Sequence, residues 1–225
     1  MRSRVILLPP IPQKLWRIDD STVGEHFSLT DSDRCYYIWE YTARKGYDFS
    51  PANQLVFNLK TKPSAIAKTP ARNRHKSEAI AHASAALRTL ITREFVEECA
   101  TFVPMPCSKA ANDSDHDDRL SRVLARAFQG WNADVREMLR LTQSTPADHE
   151  SADRLTFDQL RDITELAAKH LTAAPRAVVV ILDDVLNSGK HFKVAQALIT
   201  ERYPHAEIRG VFLARCVREL GETPV

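Results

Sequence analysis

The twelve residues "VVVILDDVLNSG", Val178 to Gly189, decide how this chain is read. The run from Ala177 to Leu182 is apolar throughout and short, which suits a strand buried on both faces, as in a parallel sheet. It ends in two adjacent carboxylates, Asp183 and Asp184, and then in a small polar turn, Asn187-Ser188-Gly189. In open α/β sheets ligands collect beyond the carboxyl ends of the strands, where the next helix offers unpaired N–H groups and a positive dipole end to an anion. Gly189 tolerates positive φ and Ser188 adds a hydroxyl donor, so the turn can wrap backbone N–H groups around a phosphate. A phosphorylated ribose answers both halves of the stretch, with its 5′-phosphate in the turn and its 2′- and 3′-hydroxyls against the acids. Magnesium, which favours carboxylates together with substrate oxygens, can share the load. A helix cap on a solvated strand end is the plain alternative for the two acids. The apolar strand before them and Ser-Gly after them favour the sugar phosphate.

Working outward, a helix follows the glycine, with Phe192, Ala195, Leu198 and Ile199 on its inner side, and "IRGVFLARC" (208–216) reads as a last strand. Upstream, Phe157, Leu160, Ile163, Leu166 and Ala167 share one helical face, and residues 135–141, which begin "VREML", fit strand and helix equally. Leu120, Val123, Leu124 and Phe128 place a helix over 119–129, "ATFVPMP" (100–106) reads as a strand halted by prolines, and "SKAANDSDHDD" (108–118) as a polar loop. Ile80, Ala83, Leu87, Ile91 and Phe95 predict an amphipathic helix over 77–95. The alternation over residues 77–216 predicts an α/β fold with a mostly parallel sheet and helices on both faces. Two regions are expected: an irregular N-terminal extension, 1–75, holding one helix near 32–44 around "CYYIWEY", and the α/β domain, 76–225.

Composition bounds the rest. The chain has 225 residues, 44% hydrophobic and 27% charged, with a net charge of +2, which suits a globular protein and is too balanced for a general nucleic-acid coat. The early apolar run Val5 to Leu8 is stopped by two prolines and is too short for a signal peptide or membrane helix. Four dispersed cysteines form no CxxC pair, so a zinc site and a disulfide framework are not indicated, and a cytoplasmic location is expected. Residues 60–76 hold six Lys/Arg and no acid. They read as a solvated basic face, with nucleic acid as a second partner class that lacks interleaved aromatics for stacking. "DSDHDD" (113–118) matches no calcium loop. "SGK" (188–190) is a poor Walker loop, because Asp184 stands where its first glycine should.

The stretch around Asp183 resembles the phosphoribosyl pyrophosphate motif of the type I phosphoribosyltransferases: an apolar strand, two acids, two mostly apolar residues, then two hydroxyl residues and glycine. Asp183, Asp184, Val185, Leu186, Ser188 and Gly189 match, Asn187 replaces a hydroxyl residue, and Lys190-His191 replace a small residue and Thr. "FVPMPCSKA" (102–110) is similar to the pyrophosphate loop of the competence-protein branch, although the N-terminal zinc finger usual there is lacking. The resemblance implies that Asp183 and Asp184 hold the ribose and Mg²⁺ and stabilise charge developing on the sugar ring. By the same resemblance Asn187, Ser188, Gly189, Lys190 and His191 cradle the 5′-phosphate, and Ser108 and Lys109 take the pyrophosphate, with Arg119 a weaker candidate. A loop over 142–155 closes the site, with Arg140, His149 and Arg154 in reach by position. The implied activity is transfer of a phosphoribosyl group from phosphoribosyl pyrophosphate, with Mg²⁺, to a base-type acceptor. A non-catalytic sensor of the same fold, or an effector acting with a protein partner, a second copy or nucleic acid, is the other reading.

Overall fold

The computed structural model describes residues 7–145 and 155–218. Its centre is a six-stranded sheet in the order β1-β2-β8-β7-β3-β4, built from Trp16–Arg17 (β1), Arg34–Thr42 (β2), Ala100–Pro104 (β3), Asp134–Val135 (β4), Val178–Leu186 (β7) and Glu207–Val217 (β8). Only β1 is antiparallel to its neighbour. A small antiparallel pair, Leu139–Leu141 (β5) and Thr164–Leu166 (β6), lies between β4 and β7 in the chain. The mixed α/β class and mostly parallel sheet agree with the sequence pattern. In β7 the residues from Val178 to Leu182 are all buried, as a strand inside a parallel sheet requires.

The helices are Pro51–Leu59 (α1), Pro63–Lys68 (α2), Ala71–Leu90 (α3), Arg119–Ala127 (α4), Phe157–Ile163 (α5) and Lys190–Arg202 (α6). Parallel crossovers are almost always right-handed, so the direction of each step across the sheet fixes the face that its helices cover. The steps β2 to β3 and β3 to β4 run one way across the strand order, and β4 to β7 and β7 to β8 run the other way. This places α1 to α4 on one face and α5 and α6 on the other. The side-chain contacts agree: Trp39 of β2 stacks on His82 of α3 at 5.4 Å, whereas Phe192 of α6 meets Phe212 of β8 edge-on at 6.1 Å. The direction reverses between β3 and β7, which lie side by side, so the crevice beyond their carboxyl ends is a topological switch point, the favoured ligand position in such sheets.

Three expectations need correction. "CYYIWEY" is not a helix but most of β2, which runs parallel to β8 from Arg34↔Arg209 to Thr42↔Val217. Its aromatic and β-branched side chains crowd a helix at χ1 but pack well on a pleated surface. The expected N-terminal extension therefore supplies a strand, and α1 as well, to the body of the fold. Helix α5 ends at Ile163, and Thr164–Leu166, expected to continue it, pair with β5 instead. The helix expected over 77–95 begins earlier, at Ala71, and ends at Leu90, with a short π-helical turn at Phe95–Cys99 leading into β3.

Because Ile38 is only 2% exposed in β2, its truncation tests whether the N-terminal segment is integral to the core. Ile38→Ala should lower the unfolding free energy by about 2–5 kcal/mol in urea titration. A peripheral extension would leave the midpoint unchanged.

Candidate functional site

The cleft at the switch point is lined by Met105, Pro106 and Ser108 after β3, by the continuous run Asp183 to Phe192 from the end of β7 into α6, and by Lys60, Arg119, Thr145 and Phe212. Residues distant in sequence thus meet around the acidic pair. Asp184, 4% exposed, accepts from Arg119 Nε at 2.9 Å and from Arg119 Nη2 at the same oxygen, Oδ2. Its other oxygen, Oδ1, accepts from Lys60 Nζ at 3.2 Å. Arg119 donates through Nη1 to Asp117 Oδ2 at 3.1 Å, and Asp117 in turn accepts from Lys76 Nζ at 2.6 Å. A line of alternating charge, Lys60–Asp184–Arg119–Asp117–Lys76, runs from the cleft into the interior, where Lys76 is 2% exposed.

Asp183 sits at the cleft side of this line and makes no ion pair among the described residues; its Oδ1 accepts from the Asp184 N–H at 2.7 Å. Burial and then the neighbouring Asp184 charge raise its pKa to about 7. Burial also pushes Asp184 upward, but Lys60 and Arg119 outweigh it and hold that carboxyl well below the usual range. The two acids are therefore unlike: Asp184 is neutralised by two cations, and Asp183 lines the cleft without one.

The turn after β7 has the backbone that the sequence requires. Gly189 has φ +86°, in the left-handed region, and immediately precedes α6. An added Cβ would come within 2.7 Å of Leu29. The segment carrying Leu29 lies behind the turn: Ser28 N–H donates to the Ser188 carbonyl at 2.9 Å, and buried His26 donates through Nδ1 to the Asn187 carbonyl. With these carbonyls held from behind, the turn is fixed on the cleft by contacts from over a hundred residues away. Ser188 Oγ accepts from Lys190 N–H at 3.3 Å, and Lys190 Nζ reaches the Leu155 carbonyl.

The remaining expected site residues divide. Asn187, Ser188, Gly189, Lys190, His191 and Ser108 line the cleft together with Asp183 and Asp184. Lys109 does not line it: its ammonium donates to the Thr145 carbonyl at 3.3 Å, while Thr145 N–H donates to the Ser108 carbonyl at 2.8 Å. Arg140 pairs with Glu165 across the β5–β6 ladder, outside the cleft. His149 and Arg154 lie outside the described residues. The basic stretch 60–76 is not simply a solvated face, since Lys60 and Lys76 both turn inward to carboxylates.

Two participants, Lys76 and Lys60, were missed, and Arg119, expected as a weaker pyrophosphate candidate, is instead the partner of Asp184. Lys76 falls on the same 76–80–83–87 stripe as Ile80, Ala83 and Leu87, so a lysine at a core position already called for a buried acid. Arg119 is the first residue of α4, where a cation opposes the helix dipole, which points to a nearby carboxylate. Lys60 carries no local signal. For Mg²⁺, the donor set differs from the expected carboxylate pair, because both oxygens of Asp184 already bear cations and only Asp183 remains. Among the described residues no group of three or more His, Cys, Asp and Glu side chains is placed to hold a metal. No helix among the described residues is long and apolar enough to cross a membrane.

Compared with known proteins, the chain matches no protein-family model, and no curated protein matches its sequence.

The unlike pair predicts a pH signature. Asp183, with its pKa raised on folding, contributes stability that is full below its ordinary value near 3.8 and is lost as pH rises through about 7. Asp184 does the reverse, contributing stability above its ordinary value that is lost as pH falls through its depressed one. Asp183→Asn should therefore gain stability relative to the wild type between pH 5 and 8, by about 1–3 kcal/mol, when urea midpoints are compared at the two pH values. A constant difference across that range would show that Asp183 ionises freely.

Proposed function

We propose that this chain binds a phosphorylated ribose at the β3/β7 crevice and acts as a phosphoribosyltransferase of the type I kind, taking phosphoribosyl pyrophosphate as donor and a base-type nitrogen nucleophile as acceptor. The observation that carries this reading is the juxtaposition at the end of β7: a carboxylate left open to the cleft, Asp183, four residues before a left-handed Gly-centred turn that opens α6. The ribose hydroxyls donate to Asp183, and the 5′-phosphate is met by the turn Asn187 to His191 and by the positive end of α6. Ser108, on the opposite lip after β3, is the cleft group nearest in kind to a pyrophosphate donor.

The chemistry asked of the protein is displacement at C1′. The bond from C1′ to the pyrophosphate oxygen breaks, its electron pair leaves with pyrophosphate, and the acceptor nitrogen forms the new bond. Positive charge builds on the sugar ring in between, and Asp183 is the anion placed to stabilise it. Positioning of donor and acceptor accounts for the rest of the rate.

A second reading, a sensor that binds the sugar phosphate without turnover, draws on Lys109. Its ammonium is held by the Thr145 carbonyl and lies outside the cleft, so one expected pyrophosphate contact is not made. The effector reading has two cations fewer to draw on, because Lys60 and Lys76 of the basic stretch are engaged with carboxylates.

Calorimetric titration of phosphoribosyl pyrophosphate in the presence of Mg²⁺ tests the proposal. The wild type should bind, and Asp183→Asn should weaken binding by about 10-fold or more, the worth of a charge-assisted hydrogen bond. Absence of binding to folded wild type would dismiss both the transferase and the sensor. Pyrophosphate release on addition of a mixture of free bases would favour the enzyme over the sensor, and Ser108→Ala, on the lip of the cleft, should then reduce turnover.

A further inference from the structure

Among the features outside the motif itself, Lys60 has the clearest chemistry. It comes from the link between α1 and α2, far from the acidic pair in sequence, yet its ammonium sits on Asp184 Oδ1 and lines the cleft. Its side chain is 39% exposed and that of Arg119 only 11%, so Lys60 is the cation on the solvent side of Asp184 and Arg119 the cation behind it.

Resting on the sugar-phosphate reading above, we infer that Lys60 takes the place of a protein-bound divalent cation, so that the cleft binds its phosphorylated sugar without Mg²⁺. Magnesium is held by near-octahedral oxygen ligands, commonly one or two carboxylates with substrate phosphates. Here Asp184 offers no free oxygen: Lys60 occupies one and Arg119 the other. An ion brought to that carboxylate would have to displace one of two cations and face the repulsion of the other. Asp183 alone, one of its oxygens already accepting from a backbone N–H, is a poor substitute for the pair.

Charge balance leads to the same conclusion. The described lining of the cleft carries three cationic side chains, Lys60, Arg119 and Lys190, against two carboxylates, Asp183 and Asp184. An anionic ligand therefore enters a lining that is already net positive. An ammonium has three donors and needs only one for Asp184, so Lys60 can bridge that carboxylate to a ligand oxygen as a metal ion would. The line through Asp117 and Lys76 holds Arg119 in place, which keeps Asp184 committed to the two cations.

The test is calorimetric titration of phosphoribosyl pyrophosphate into wild type and Lys60→Met, each with Mg²⁺ and with EDTA. The wild type should bind with affinities within about threefold of one another in the two buffers, and Lys60→Met should bind about 10- to 100-fold more weakly in EDTA. Lys60→Arg, which keeps the charge, should stay close to the wild type. Wild-type binding in Mg²⁺ that disappears in EDTA overturns the inference and leaves the sugar-phosphate reading standing. No binding in either buffer removes both. The wild-type comparison decides by itself if Lys60→Met does not fold.

Discussion

The fold and its cleft both depend on how one buried carboxylate is neutralised. Asp184 is itself buried near the end of β7, and an uncompensated charge there would carry a desolvation cost of several kcal/mol. Arg119 and Lys60 answer it from two different elements, the start of α4 and the link after α1. Arg119 is itself buried and requires Asp117, and Asp117 in turn holds Lys76 on α3. Each member is satisfied only while its neighbours are present, so the line acts as one unit. It ties α3, α4 and β7 together at the carboxyl edge, where hydrophobic contacts alone would leave the register of the loops unspecified.

That neutralisation also explains why a second acid can stand beside the first. Two adjacent carboxylates at a buried strand end repel, and one of them must give way in charge or position. With Asp184 committed inward, burial and then the repulsion raise the pKa of Asp183, whose side chain is left to the cleft. The topology supplies the cleft itself. Crossovers that run outward from β3 and back from β7 part the two loops, so the residues after each strand face a common space.

Legibility in the sequence followed how local the cause of each element was. Strands β3, β7 and β8 announce themselves because burial on both faces leaves short continuous apolar runs, and the turn at Gly189 because its backbone needs a glycine. Helix α1 was equally marked: Ser50 caps it, Pro51 starts it, and Ala52, Leu55, Val56 and Leu59 form its buried stripe, yet the prolines around it suggested irregular chain. Strand β2 was misread because four aromatics in seven residues show neither clean alternation nor a helical stripe. Its identity comes from β8, over 170 residues away. The cleft was half legible: the residues of the turn after β7 do line it together, while the partners of Asp184 come from positions 60 and 119, which no local pattern links.

The N-terminal segment shows what such long-range links achieve. On the reading proposed above, the turn has to keep its N–H groups at a fixed spacing, and a solvated loop would lose that order whenever the site is empty. Here Ser28 and His26 hold the carbonyls of Ser188 and Asn187 from behind, and Leu29 fills the space that any Cβ at position 189 would need. Arg218, past the end of β8, donates to the Asn187 side chain at 2.9 Å. The turn is thus braced from both ends of the described chain before any ligand arrives, and the ordering entropy that binding would otherwise cost is met during folding. The same segment continues into β2, so the strand that completes the sheet also fixes the geometry of the turn. Substitutions in residues 26–29 should consequently act on affinity through the turn's shape, even though none of these residues lines the cleft.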